Sequence, residues 1–94
     1  EIAKKIPEFK DGKITSAVNS EKYALIIIED VDEESFKDYY EKVKSDFSKD
    51  SYDAKFESTI SYTGSNDEGI TMIISYSTSD KGLSIQASQA EKNN

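Results

Sequence analysis

Cysteine, histidine and arginine are absent from this 94-residue chain, and proline occurs once. Without a thiol or an imidazole there is no thiolate nucleophile, no imidazole base, no thiolate or imidazole metal ligand and no anchor for haem or an iron–sulfur cluster. Most enzyme mechanisms lose their parts. All 12 basic residues are lysines, so the planar fork that usually recognises phosphate or carboxylate is missing, and phosphorylated ligands are disfavoured. The lack of cysteine fits an oxidising compartment reached without disulfides as well as it fits the cytosol, so it decides nothing about location. The longest apolar run, Tyr23 to Ile28, is far shorter than the roughly 20 residues of a membrane-spanning helix.

What is present is acid and a modest apolar complement. Nineteen acidic residues against 12 lysines leave a net charge of -7, which repels phosphate backbones and anionic lipid headgroups and disfavours nucleic-acid binding. Leu, Ile, Val and Phe together make 20 of the 94 residues, enough for a small core. A chain of this length is expected to form one domain, 1–94, with a stability on the order of 5 to 14 kcal/mol. It begins at Glu1 rather than Met, so a processed or trimmed product is expected, with any signal or lipid-attachment segment outside it.

Residues 1–12 carry mixed charge, Pro7 and no sustained period. They read as a lead-in segment that docks through Ile6 and Phe9 and serves as the tether. Ile14 and Val18, a turn at Asn19-Ser20, and Tyr23 to Glu29 predict a hairpin. Four consecutive apolar residues, Leu25 to Ile28, predict that its second strand is central and covered on both faces. Phe36, Tyr39, Tyr40, Val43 and Phe47 make one stripe at helical spacing. Asp32 is the expected N-cap, Val31 and Phe36 a hydrophobic staple, and Glu33–Lys37 and Asp38–Lys42 favourable pairs one turn apart.

After a polar loop, Ser48 to Ser51, the segment Tyr52 to Thr63 alternates as one strand, with Tyr52, Ala54, Phe56, Ile60 and Tyr62 facing the core. A turn from Gly64 to Gly69 leads to Ile70 to Thr78, where Ile70, Met72, Ile74 and Tyr76 share a face. A second turn places Gly82 in a left-handed position with a bulge before Leu83, Ile85 and Ala87. Core residues thus span 13–88, and the tail, 89–94, is expected to fray. The fold class is α+β: two layers, one helix on a mainly antiparallel sheet of about five strands, in the order ββαβββ. Removing Phe36 or Ile60 to alanine should cost about 3 kcal/mol.

Few residue patterns suggest chemistry. Asp30 to Glu41 places acids as in a calcium loop, but Ser35 stands where that loop requires glycine, and the same residues read as a capped helix. Asp30, Glu57 and Glu68 are acids at no catalytic spacing, and Gly64 and Gly69 read as hairpin glycines rather than a phosphate cradle. The face opposite the helix is the candidate interaction site. It collects Thr59, Ser61, Thr63, Thr71, Ile73, Ser75, Ser77, Ser84, Gln86 and Ser88, either as an ordinary solvated face or as a flat surface for a protein partner or a second copy. Tyr23, Tyr62 and Tyr76 are read as rim-of-core residues or ligand contacts.

The pattern Pro7-Glu8, Gly12-Lys13-Ile14, the apolar strand into Val31, Phe36 and Tyr40 on the helix and Phe47 at its end resembles small extracytoplasmic lipoprotein domains of low-GC bacteria. That resemblance covers most of the chain. It implies an α+β domain, a secretion signal with a lipid-attachment cysteine upstream, and no catalytic residues. Asp46-Phe47 stands where such helices often end in Gly-Phe, which predicts a helix one or two residues longer. Eleven isoleucines against two leucines, with no arginine, agree with AT-rich coding. The expected function is a non-catalytic, extracytoplasmic interaction module without cofactor or metal. It would touch the membrane only through an anchor upstream of Glu1 and present its sheet face to an unknown protein partner or to itself. The alternative is an acidic cytoplasmic or phage-type inhibitor that mimics nucleic-acid charge; a small hydrolase would require a buried pair of acids.

Overall fold

The computed structural model describes residues 2–90. A 3-10 turn, Ile2–Lys5, precedes strands β1 (Lys13–Asn19) and β2 (Tyr23–Glu29), helix α1 (Glu33–Asp46), and strands β3 (Lys49–Phe56), β4 (Thr59–Ser65), β5 (Ile70–Ser77) and β6 (Gly82–Gln89). All six strands form one antiparallel sheet in the spatial order β1-β2-β6-β5-β4-β3. The helix lies over β4 and β5, and the 3-10 turn lies over β2 and β6. One face of the sheet is therefore roofed by two pieces of chain, and the other is left open.

The two-layer α+β arrangement matches expectation, but the sheet has six strands rather than five. The segment expected to be one strand turns back at Glu57-Ser58, with Glu57 at φ 53°, and Phe56 pairs with Thr59. The polar loop expected at Ser48 to Ser51 already contains the start of β3. Glycine and asparagine adopt a positive φ most readily, so a Lys-Phe-Glu-Ser-Thr sequence conceals the turn.

The roofed face supplies the core. Ile28, Ile70, Met72, Ile74, Leu83 and Ile85 are at most 2% exposed, as are Val31, Phe36, Val43 and Phe47 above them. Ile2 and Ile6 are buried in the same cluster, with Phe9 packed at its margin. The lead-in segment thus docks through Ile6 and Phe9, with Ile2 added. Ile60 is only partly buried against this core, so its truncation should cost less than that of Phe36.

Strand β2 is interior but lies second from the edge. Its Ala24 and Ile28 are 1% exposed under the lead-in segment, while Leu25 and Ile27 on the opposite face remain half-buried. The expectation that both its faces are covered fails because none of the described residues overlies the second face.

Two buried tyrosines secure the helix at both ends. Tyr76 donates its hydroxyl to the Val31 carbonyl at 2.7 Å, and Tyr62 donates to the Phe47 carbonyl at 2.6 Å. Between them Phe36 stacks on Tyr76 with centroids 4.5 Å apart, and Tyr40 meets Phe36 at 5.7 Å and Tyr62 edge-on at 5.6 Å. Neither Tyr62 nor Tyr76 is a surface ligand contact, since both are 1% exposed. The helix stops at Asp46 with Phe47 as its C-cap, not one or two residues later, because the Phe47 ring is drawn into the core and its carbonyl is engaged by Tyr62.

At the N-terminus Asp32 holds the N-cap position but its side chain makes no capping bond. Instead the Asp11 carboxylate of the lead-in segment accepts the Asp32 N–H at 3.3 Å. Lys37 and Glu33 pair at 3.3 Å, while Asp38 and Lys42 stay apart. Gly82 does not take the left-handed position; Lys81 does, at φ 57°, and Gly82 enters β6 paired with Ser77. Strand β6 continues to Gln89, whose N–H donates to the Lys22 carbonyl at 2.9 Å, and the Ala90 N–H donates to the Gly69 carbonyl at 2.9 Å. The rest of the expected frayed tail, 91–94, lies outside the described residues.

Three carboxylates tie loops and edges to this frame. Asp11 is held below the ordinary value of 3.8 by the Asp32 N–H, then the Ser35 hydroxyl and the Gly12 N–H. Asp53 is lowered chiefly by the Tyr40 hydroxyl at 2.5 Å, and also by Lys44 at 3.4 Å. Asp67 is lowered by Lys49 at 2.6 Å. A carboxyl depressed in the fold adds stability that is complete above its unfolded value and is lost as the pH falls through its folded value. The urea midpoint should therefore drop as the pH is lowered below the ordinary carboxylate value of 3.8. Asp11→Asn should flatten part of that acid limb, and an unchanged slope would show that the contact to Asp32 is not made in solution.

Candidate functional site

Pairing registers assemble the open face in rows that cross the whole sheet. One central row runs Val18, Leu25, Gln86, Ile73, Thr63, Tyr52, and the next runs Ser16, Ile27, Ser84, Ser75, Ser61, Ala54. Outside them lie Tyr23, Ser88, Thr71, Ser65 and Lys49 at one end and Ser77, Thr59 and Phe56 at the other. Every residue named beforehand for this face, Thr59, Ser61, Thr71, Ile73, Ser75, Ser84 and Gln86, lies on it. So do Thr63, Ser77 and Ser88.

The face also holds residues expected elsewhere. Tyr52, Ala54 and Phe56, expected on the core side, share the open face with Thr59, Ser61 and Thr63. In a continuous strand residues 56 and 60 lie on the same side, whereas a two-residue turn makes 56 a neighbour of 59 and inverts the pattern. The available signal was length: a 12-residue alternation, Tyr52 to Thr63, is about twice the usual strand.

The consequence is a concentration of exposed apolar side chains. Among the described residues six large hydrophobic side chains are exposed: Ile14, Val18, Tyr23, Tyr52, Phe56 and Ile73. Five of the six, all but Ile14, lie on the open face, with Phe56 at 75% and Tyr52 at 69%. The two central rows contain no charged side chain, although a third of the chain is charged. Charges begin only at the margins, with Lys13 and Glu29 paired at one corner and Lys49 at another. Depletion of charge together with exposed aromatics is what separates the centre of an interface from ordinary surface.

Both edges of the sheet are irregular. The β1 register shifts between Ile14 and Ser16, and the β3 register shifts between Lys49 and Tyr52, with Asp50 at φ 51°. Bulges at both edges twist the free N–H and C=O groups away from a further strand. The flat face, not an edge, is left to make contacts.

Two concavities flank this arrangement. A shallow depression of about 520 Å³ at one end of the open face is lined by Ile27, Thr59, Ser75, Ser77, Asp80 and Ser84, among others. On the roofed side a groove of about 490 Å³ runs between the lead-in segment and Ile14, Ile26 and Ile85, which accounts for the exposure of Ile14.

The acids do not build a reaction centre. Every described Asp and Glu is exposed. Asp30 follows β2 and Glu57 lies in the β3–β4 turn, at the same end of the sheet but with β6, β5 and β4 between their strands, while Glu68 sits in the β4–β5 turn at the opposite end. The would-be calcium loop is helical from Glu33 onward. Among the described residues no group of three or more acids comes together to hold a metal ion, and no helix is long and apolar enough to cross a membrane. No protein-family model, no curated protein and no solved structure matches this chain.

Proposed function

We propose that this chain is a non-catalytic binding module that works through the open face of its sheet. The observation that carries the reading is that five of the six exposed large hydrophobic residues gather on one face whose two central rows are free of charge. Burying such a surface is favourable, at roughly 25 cal/mol per Å² of apolar area, and no buried charge opposes it. Export and a lipid anchor upstream of Glu1 belong to the same proposal. They rest on the resemblance to extracytoplasmic lipoprotein domains, and the expected finding is a lipid-attachment cysteine encoded before Glu1.

The charge-mimic alternative requires carboxylates ranked along one surface. On α1 they alternate with Lys37, Lys42 and Lys44, and the open face contains almost none. A photo-reactive side chain placed at Ser75 or Gln86, on the open face, should give a discrete cross-linked product in the cells that make the protein, and one placed at Glu41 on the exposed side of the helix should not. Cross-linking confined to Glu41, or absent at all three positions, would overturn the reading.

A further inference from the structure

Resting on that reading, we infer that the partner seated on the open face is a second copy of this chain, in a two-fold, face-to-face sandwich of sheets. The face has the area for it. Six strands about 4.8 Å apart and seven to eight residues long at about 3.3 Å each span roughly 700 Å² in projection, close to the roughly 800 Å² that each partner contributes to a stable interface. Two such faces would stack at the roughly 30° offset of aligned sheets.

The distribution of side chains fits a two-fold better than it fits an arbitrary surface. Aromatic Tyr52 and Phe56 project from the β3 edge, aliphatic Val18, Leu25 and Ile27 from the β1–β2 edge, and small hydroxyls fill the centre. An isologous contact must match a patch to itself. With the two-fold parallel to the strands and passing between β6 and β5, the β3 edge of one copy lies over the β1 edge of the other. Tyr52 then falls on Val18, Ile73 on Gln86 and Ser75 on Ser84. The Tyr52 ring covers a branched aliphatic and the central hydroxyls of Ser75 and Ser84 meet, while Leu25 and Ile27 lie over Thr63 and Ser61, and at the corners Phe56 falls on Lys13 and Thr59 on Glu29, so no two charged side chains face each other. With bulged edges, the two copies are stacked rather than joined into one longer sheet.

Electrostatics gives the dimer a signature. Each copy carries -7, so the copies repel at long range while the contact itself contains no ion pair. Salt that screens the repulsion should tighten the dimer, the reverse of what an acidic mimic binding a basic protein would show.

Sedimentation equilibrium over about 1 μM to about 1 mM should give a monomer–dimer equilibrium whose dissociation constant falls as salt is raised. Ile73→Asp brings two carboxylates close to the axis of symmetry and should weaken the dimer at least about tenfold, a change of roughly 1.4 kcal/mol. Phe56→Ser should weaken it less, and Glu41→Ser should leave it unchanged. Both open-face variants should keep the far-ultraviolet circular dichroism of the parent, so loss of the dimer is distinguished from loss of the fold. A parent chain that stays monomeric at about 1 mM, or an Ile73→Asp variant that dimerises as tightly, overturns the second copy as partner. Cross-linking from Ser75 or Gln86 to a different protein, by a chain that is monomeric alone, would retain the open face as a binding surface while discarding the dimer. A monomer with no cross-link at either position would discard both.

Discussion

Gly64→Ala lowers the midpoint of thermal unfolding by roughly 10 to 25 °C, the equivalent of about 2 to 4 kcal/mol in a domain of this size. Gly64 was expected in a hairpin turn, but it lies inside β4, paired with Met72 and buried. A β-carbon there would stand 2.0 Å from the Phe47 carbonyl oxygen and 2.8 Å from the Tyr62 hydroxyl. These are the two partners of the 2.6 Å hydrogen bond that fastens the end of α1 to the sheet. The obstacle is backbone, so it cannot rotate away as a side chain would. Either the helix end lifts, exposing Phe47, or β4 is pushed out of the sheet. Overpacking of this kind costs about 1 to 3 kcal/mol, and the loss of a buried hydrogen bond adds about 1 kcal/mol. Gly82→Ala is the matched control. Gly82 has no positive φ, and its added carbon would meet nothing closer than the Ile28 carbonyl at 4.0 Å, so its midpoint should stay within a few degrees of the parent. Circular dichroism melting of the two variants decides the matter. A Gly64→Ala melt resembling that of Gly82→Ala would mean that the helix does not press on β4 as described.

Phe36→Ala should cost about 3 to 5 kcal/mol, the range for removing a large aromatic from a closed core, whereas Phe56→Ala should change stability by no more than about 0.5 kcal/mol. Both residues are phenylalanines within apparently periodic segments. Phe36 is 1% exposed and is stacked at 4.5 Å on Tyr76, whose hydroxyl donates to the Val31 carbonyl at 2.7 Å. Its loss leaves a void with no neighbour free to fill it. Phe56, at 75% exposed, rests on the open face at the sheet margin and has little packing to lose. Urea denaturation at neutral pH, with both variants alongside the parent, should separate the two by several molar-scale steps of stability. Similar losses at the two positions would mean that β3 and β4 form one continuous strand with Phe56 turned inward. That result would also remove the open face as drawn.

The helix was legible because its signals are local. Five apolar residues at helical spacing, acids in the first turn and Val31 ahead of Phe36 act within a few residues of one another, and their agreement is visible along the chain. The hydroxyl-rich side of the later strands was legible for the same reason: alternation in Thr59 to Thr63 and Ile70 to Ser77 assigns sides within each strand. Three features were hidden. The turn at Glu57-Ser58 contains no glycine, asparagine or proline. The capping of α1 by Asp11 rather than Asp32 spans 21 positions. The role of Tyr62 and Tyr76 as fasteners of the two helix ends depends on carbonyls that are 15 and 45 positions away.

Sequence alone therefore determined the class of object: a small, acidic α+β chain without the side chains for thiol, imidazole or guanidinium chemistry, bearing one amphipathic helix and alternating strands. Periodicity and composition are properties of neighbouring residues, and they survive without knowledge of the fold. Tertiary structure alone decided which side of β3 faces solvent, which glycine must be a glycine, and which apolar residues are left uncovered. Those outcomes depend on strand order and on where the lead-in segment and α1 come to rest, which are set by contacts between distant parts of the chain. A single two-residue turn, invisible to alternation, moved Tyr52 and Phe56 from the expected core to the surface on which the proposed function rests.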